Sequence, residues 1–301
     1  MISTSRIAGV LPIVHTPFDD DDCIDHAVLK REIDWAFEQG AHGICTGMVS
    51  ELLRLTHDER IELTHKLVEF NSNRGVVIAS VGAESTKQAL EFARHAQQAG
   101  CDAMMAIPPI STELSNAEVL RYFAALAEEI DIPLIVQDAS AYVGQAIDME
   151  VHTTLLERYG PDKIMFKPEA SPIGPNLSAL RDRTGGKARV FEGSGGITLV
   201  DSFRRGVAGT MPGMELLDAI VALWNALEKG DDDEIYRLYF PICAIVALQM
   251  QAGLDGFLAI EKYILVRRGV FKNTNRRGPI AWQLDEETAS EVGRLMELIK
   301  I

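Results

Sequence analysis

The chain has 301 residues, 47% of them hydrophobic, with a formal net charge of −15. That length buries a large core and suits one barrel-sized domain with an appendage, while the acidity and the absence of a basic cluster argue against nucleic acid and anionic membranes as partners. Four scattered cysteines (Cys23, Cys45, Cys101, Cys243) show neither zinc nor disulfide spacing, no apolar run approaches membrane-spanning length, and the opening Met-Ile-Ser-Thr-Ser-Arg lacks a signal peptide's apolar segment, so the expected location is the reducing cytoplasm.

From the N-terminus, short apolar runs alternate with longer amphipathic segments. Gly9 to Val14 reads as a strand, and Ala27 to Gln39 as a helix stopped by Gly40. Gly43 to Thr46 is a second strand. Thr56 and Glu59 have capping-box spacing and open a helix through Glu69. Strands at 76–80 and 103–107 flank a helix from Ser85 to Ala99 that ends at Gly100. A helix from Asn116 to Glu129 then leads to a strand at 133–137, and a helix from Glu150 to Tyr159 leads to a strand ending at Lys167. Arg189 to Glu192, a short helix from Ile197 and Gly209 to Met211 follow. Eight strand-helix units in about 220 residues point to a closed (β/α)8 TIM barrel more than to an open sheet. Beyond Ala219 three helices are expected, at Asp232 to Ala252, Gly256 to Arg268 and Asp285 to Lys300. The expected division is a barrel over 1–222 and a C-terminal three-helix extension over 223–301, packed on the barrel.

The segment Ile164-Met-Phe-Lys-Pro-Glu-Ala170 carries the chemistry. In a strand, residues two apart share a face and lie roughly 7 Å apart. Lys167 and Glu169 should therefore point the same way at the end of the sixth strand, the end of a barrel where catalytic groups sit. A buried amine and carboxylate are costly unless paired or reactive. The pair is thus either a structural ion pair or a Schiff-base lysine with its proton carrier.

Several motifs fall in register: Gly9-Val-Leu-Pro with Thr16-Pro-Phe18, Gly47 with Glu51 and Leu55-Thr-His-Asp-Glu59, Ala106-Ile-Pro-Pro109, Ile132-Pro-Leu-Ile135 and Phe166-Lys167. In these the whole chain resembles the dihydrodipicolinate synthase / N-acetylneuraminate lyase family. The resemblance implies a class I aldolase-type barrel in which Lys167 forms a Schiff base with the keto carbon of a 2-oxo acid. Its departures are informative. Met48 stands where the family has a proton-relaying threonine, Gln137-Asp138 where it has Tyr-Asn, and Tyr142 where dihydrodipicolinate synthase has an arginine for its second substrate. Val136-Gln-Asp-Ala139 with Phe166-Lys-Pro-Glu169 is similar to the branch of L-2-keto-3-deoxyarabonate dehydratases.

Glutamine exchanges no protons near neutral pH, so Glu169 is expected to carry them for elimination of water from a 2-keto-3-deoxy sugar acid. The expected substrate contacts are Val49, Ser50, Gln137, Gly193 and Met211, with Gly193 opening the Gly-Ser-Gly-Gly turn for tight clearance. An aldolase cleaving a similar acid to pyruvate and an aldehyde, and a non-catalytic 2-oxo-acid-binding barrel, are the competing readings. No cofactor and no metal site are expected, and His15, His57 and His65 read as structural or exposed. By analogy with the family, and because closed symmetry is the common route, a homo-oligomer is expected, a tetramer or dimer. Light scattering that returned a mass near 33.1 kDa would refute that expectation.

Overall fold

A computed structural model describes residues 6–299. The strands are β1 (Gly9–Val10), β2 (Gly43–Cys45), β3 (Val76–Ser80), β4 (Ala103–Ala106), β5 (Leu134–Asp138), β6 (Ile164–Pro168), β7 (Phe191–Glu192) and β8 (Gly209–Thr210). Between and after them run α1 (His26–Glu38), α2 (His57–Asn71), α3 (Thr86–Ala99), α4 (Asn116–Glu129), α5 (Met149–Tyr159), α6 (Ile173–Arg183), α7 (Leu199–Arg204) and α8 (Leu217–Lys229). The C-terminal helices are α9 (Asp232–Gln249), α10 (Gly253–Arg267) and α11 (Glu286–Leu298).

All the ladders are parallel. β2 to β6 pair in sequence order, and β8 lies between β1 and β7. Bridges Ile13 to Cys45 and Phe166 to Val190 join the two groups and close the ring. Pro12 has no N–H to give, which shortens the regular part of the first strand. Even so, Leu11 and Ile13 donate to the carbonyls of Thr210 and Pro212, so the segment expected as a strand through Val14 still lines the ring.

The period of two decides what faces inward. Leu11, Ile13, Cys45, Ile78, Met105, Ile135, Met165 and Phe191 fill the barrel interior. Their neighbours Val10, Ile44, Val77, Met104, Val136 and Phe166 pack outward under the helices. Met165 is inward, hence so is Lys167 two residues on; Ile135 is inward, hence so is Gln137.

Helix ends follow the capping signals in the sequence. The Thr56 hydroxyl and Glu59 carboxylate form the expected capping box, and Gly100 closes α3 at φ 94°, a conformation that costs other L-residues. After β6 the sequence is rich in Pro and Gly (Pro168, Pro172, Gly174, Pro175), yet α6 begins at Ile173. Pro175 sits in its first turn, where no intrahelical N–H is needed. A division at residue 222 would cut α8, whose terminator is Gly230 in the left-handed region. The last expected helix spans Glu286–Leu298; Lys300, its expected end, lies outside the described residues.

The helical stretch Asp232–Arg267 contains an 18-residue window apolar enough to span a membrane by length and composition, with mean hydropathy 1.5, and half of that window is buried inside the protein. Leu238, Ile242 and Ile245 of α9 and Leu258, Ile260 and Leu265 of α10 are all buried. This is the pattern of a core helix pair.

Candidate active site

Lys167 and Glu169 converge at the carboxyl end of β6, 3.3 Å apart from Nζ to Oε1, with exposures of 5% and 3%. Gln137, the register partner of Lys167 on β5, donates from Nε2 to the other oxygen, Oε2, of Glu169 at 2.7 Å. The backbone N–H of Glu169 donates to the Asp138 carbonyl, which pins the residue after the strand has ended. Burial pushes the Glu169 carboxyl above the usual carboxylate range, and the Lys167 ammonium and the Gln137 amide pull against it. Oε1 of Gln137 is buried and has no partner. A buried acceptor left open at a cavity wall is a place for a ligand's hydroxyl.

Gly193 leaves the room that this pair occupies. A Cβ there would overlap Cε of Lys167 and stand 2.6 Å from Oε1 of Glu169. The clearance expected for substrate is thus taken first by the lysine. The glycine turn is held from below by Glu192, which accepts hydrogen bonds from the Ser194 amide and hydroxyl and, through Oε2, from the Thr210 hydroxyl.

The loop after β2 is a single 3-10 turn, Met48–Ser50. Met48 and Val49 line the cavity above the lysine. Ser50 does not join them. Its hydroxyl donates to the Val14 carbonyl and accepts from the Gly47 amide, and its own N–H goes to the Gly47 carbonyl, so Ser50 shapes the turn from behind. Glu51 follows with φ 56°, held by the fully buried Lys262 of α10, which also donates to the Thr16 and Asn275 carbonyls. That buried pair ties the turn to the C-terminal extension.

The extension completes the cavity. Leu254, Phe257 and Glu261, spaced to share one face of α10, line it together with Ile13 and Met211. Tyr142 enters from the loop after β5, with its hydroxyl 3.3 Å from the Gly193 carbonyl and its ring edge-on to Phe257. Burial, reinforced by the carboxylates of Glu169, Glu192 and Glu261, raises the Tyr142 phenol well above its usual value. It is therefore a hydrogen-bond donor and not a base. The sequence reading named Tyr142 only as the replacement of an arginine and missed Glu261 as a cavity group. Neither lies on a strand end, and only the i, i+3, i+7 spacing in α10 hinted at a shared face.

The carboxyl mouth of the barrel thus carries a lysine beside a carboxylate, backed by an amide. The profile of the dihydrodipicolinate synthetase family matches residues 6–299. The chain belongs to that family. Its members are Schiff-base, class I aldolase-type lyases. The chain is 30% identical over 296 residues to the L-2-keto-3-deoxyarabonate dehydratase of Azospirillum brasilense, covering 96% of this chain and 94% of that protein. It is also 30% identical over 245 residues to the 4-hydroxy-tetrahydrodipicolinate synthase of Methanosarcina mazei, covering 79% and 81%. Among solved structures, dihydrodipicolinate synthase from Rhodopseudomonas palustris superposes with TM-score 0.86 at 25% identity over 98% of each chain. YagE of Escherichia coli K12, solved in complex with pyruvate, gives TM-score 0.89 at 23% identity over 97% of this chain and 98% of that one. Both superpositions run over nearly the whole of this chain, barrel and helical extension together.

Proposed function

We propose that this protein is a Schiff-base-forming hydro-lyase that dehydrates a 2-keto-3-deoxy sugar acid, with 2-keto-3-deoxy-L-arabonate giving 2,5-dioxopentanoate. The observation that carries this reading is the triad of Lys167, Glu169 and Gln137, in which a carboxylate takes the place beside the lysine and an amide stands at the fifth strand's end. The likeness to the Azospirillum dehydratase supports it.

In this mechanism the Lys167 amine attacks C2 and water leaves, giving a protonated imine. The imine acidifies C3, and Glu169 removes a C3 proton to form the enamine. The enamine electrons expel the C4 hydroxyl, which leaves as water with a proton. Loss of a C5 proton and protonation at C3 give the C4–C5 enol, which tautomerises to the aldehyde, and hydrolysis of the imine frees Lys167. One water is lost overall and no oxidant or reductant is required. Gln137 Oε1 and the Tyr142 hydroxyl are the groups offered to substrate hydroxyls, with Val49, Gly193 and Met211 shaping the space. In keeping with the sequence reading, we place the enzyme in the cytoplasm as a homo-oligomer acting on a small 2-oxo acid.

Aldol cleavage is the second reading: a phenol, Tyr142, stands in the cavity, but its raised pKa makes it a donor and not the base on the C4 hydroxyl that cleavage needs, which leaves dehydration ahead. A panel of 2-keto-3-deoxy acids, with semialdehyde separated from pyruvate, distinguishes the two. For the imine itself, pyruvate plus borohydride is expected to add one adduct, mapped to Lys167 and absent from Lys167→Ala. An unmodified Lys167 peptide would remove the Schiff base from the mechanism.

A further inference from the structure

We propose that His15, Glu215 and Glu261 form a divalent-cation site beside the cavity, through Nε2 of His15 and one carboxylate oxygen from each glutamate. The three come from the end of the first strand, the loop after the eighth and α10, far apart in sequence, and their ligand atoms all lie within 4.8 Å of one another. All three are buried, His15 completely.

The surroundings resemble those of a ligand set more than those of an ordinary ion pair. His15 Nδ1 is 3.0 Å from Oε1 of Glu32, which also accepts the His15 backbone N–H, so Glu32 fixes the ring and leaves Nε2 facing Glu261 at 2.8 Å. A carboxylate behind the imidazole is the usual support of a metal-bound histidine. Gln249 similarly holds Glu215, donating to Oε1 at 2.8 Å. The other oxygen, Oε2 of Glu215, is buried with no donor at all. It converges with Glu261 over Gly213, where a Cβ would overlap Glu215 Oε2 and lie 2.9 Å from Glu261 Oε1. Gly213 and Glu261 both line the cavity, which supplies an entry path.

Charge points the same way. Glu32, Glu215 and Glu261 are three buried carboxylates around one imidazole, whose ion pairs with Glu32 and Glu261 offset at most one of the charges, and the nearby Lys262 ammonium is already paired with Glu51. Buried charge without compensation is expensive. A doubly charged ion offsets it, and one nitrogen with carboxylate oxygens suits zinc or manganese. Protonation is the other way to relieve the charge, and it calls for no ion.

The site stands apart from the dehydratase reading, since ion binding is measured without substrate. Full-length protein is stripped with chelator, dialysed, and titrated with Mn2+ and with Zn2+ by calorimetry, with the retained metal counted by elemental analysis. We expect one ion per chain and a raised thermal midpoint, both lost in Glu215→Gln and in Glu261→Gln. Glu32→Gln should weaken binding by roughly 10–100-fold, as expected of a group supporting a ligand. These amide variants keep side-chain size, and circular dichroism of the stripped proteins checks that they fold. Less than a tenth of an equivalent bound by the wild type, or equal binding by wild type and both ligand variants, overturns the proposal in favour of a protonated carboxyl cluster.

Discussion

Glu169→Gln should still trap a 2-oxo acid on Lys167 with borohydride, while losing dehydration by roughly 10²–10⁴-fold, the usual contribution of a positioned acid or base. The amide fills the same space and leaves the clearance at Gly193 unchanged, so the lysine keeps its place. What disappears is the group that takes the C3 proton. The pH profile adds a second reading. Because burial raises the Glu169 pKa, and the group must be ionised to act as base, the acid limb of turnover should lie above the normal carboxylate range. That limb should be missing from whatever residual rate the glutamine variant retains. A variant that dehydrates near the wild-type rate would leave Glu169 as a structural partner of Lys167 and the mechanism without its proton carrier.

How far the sequence carried differs from residue to residue. The parity of β5 and β6 was enough to bring Lys167, Glu169 and Gln137 to one wall, because a period of two fixes the facing once one inward residue is known. Helix ends at Thr56, Ser85 and Gly100 were equally plain, since caps are local chemistry. What depends on distant segments was not legible. Glu261 and Phe257 reach the cavity only because α10 folds back over the barrel mouth, and Tyr142 points inward by the course of a loop. His15 read as structural or exposed, and it is buried with its ring between Glu32 and Glu261, partners whose spacing in the sequence does not mark them as a group. Ser50, expected as a substrate contact, has its hydroxyl committed to the Val14 carbonyl and the Gly47 amide, partners that its place in the loop does not reveal. The expected boundary at 222 falls inside α8, because an apolar helix that covers the barrel and one that begins an extension have the same composition.

Gly193→Ala is expected to cut the rate of imine trapping by about 10²-fold or more while leaving the fold intact. Gly193 is not in the left-handed region, so alanine can adopt its backbone and the cost of the methyl is purely one of space. That space holds the lysine: the new Cβ would overlap Cε of Lys167 and stand 2.6 Å from Oε1 of Glu169. To clear the methyl, the Lys167 side chain must swing away from the carbonyl it attacks. Displacements near 1 Å are enough for losses of this size. Gly195→Ala is the control. Gly195 needs its left-handed φ of 70°, and a Cβ there meets Val246 and Phe257 at ordinary contact distance, clear of Lys167. It should lower the thermal midpoint through backbone strain, of order 1–2 kcal/mol, and still trap pyruvate at close to the wild-type rate. A Gly193→Ala protein that traps pyruvate as fast as wild type would show that the lysine reaches its carbonyl from another position, and the site geometry described above would have to be redrawn.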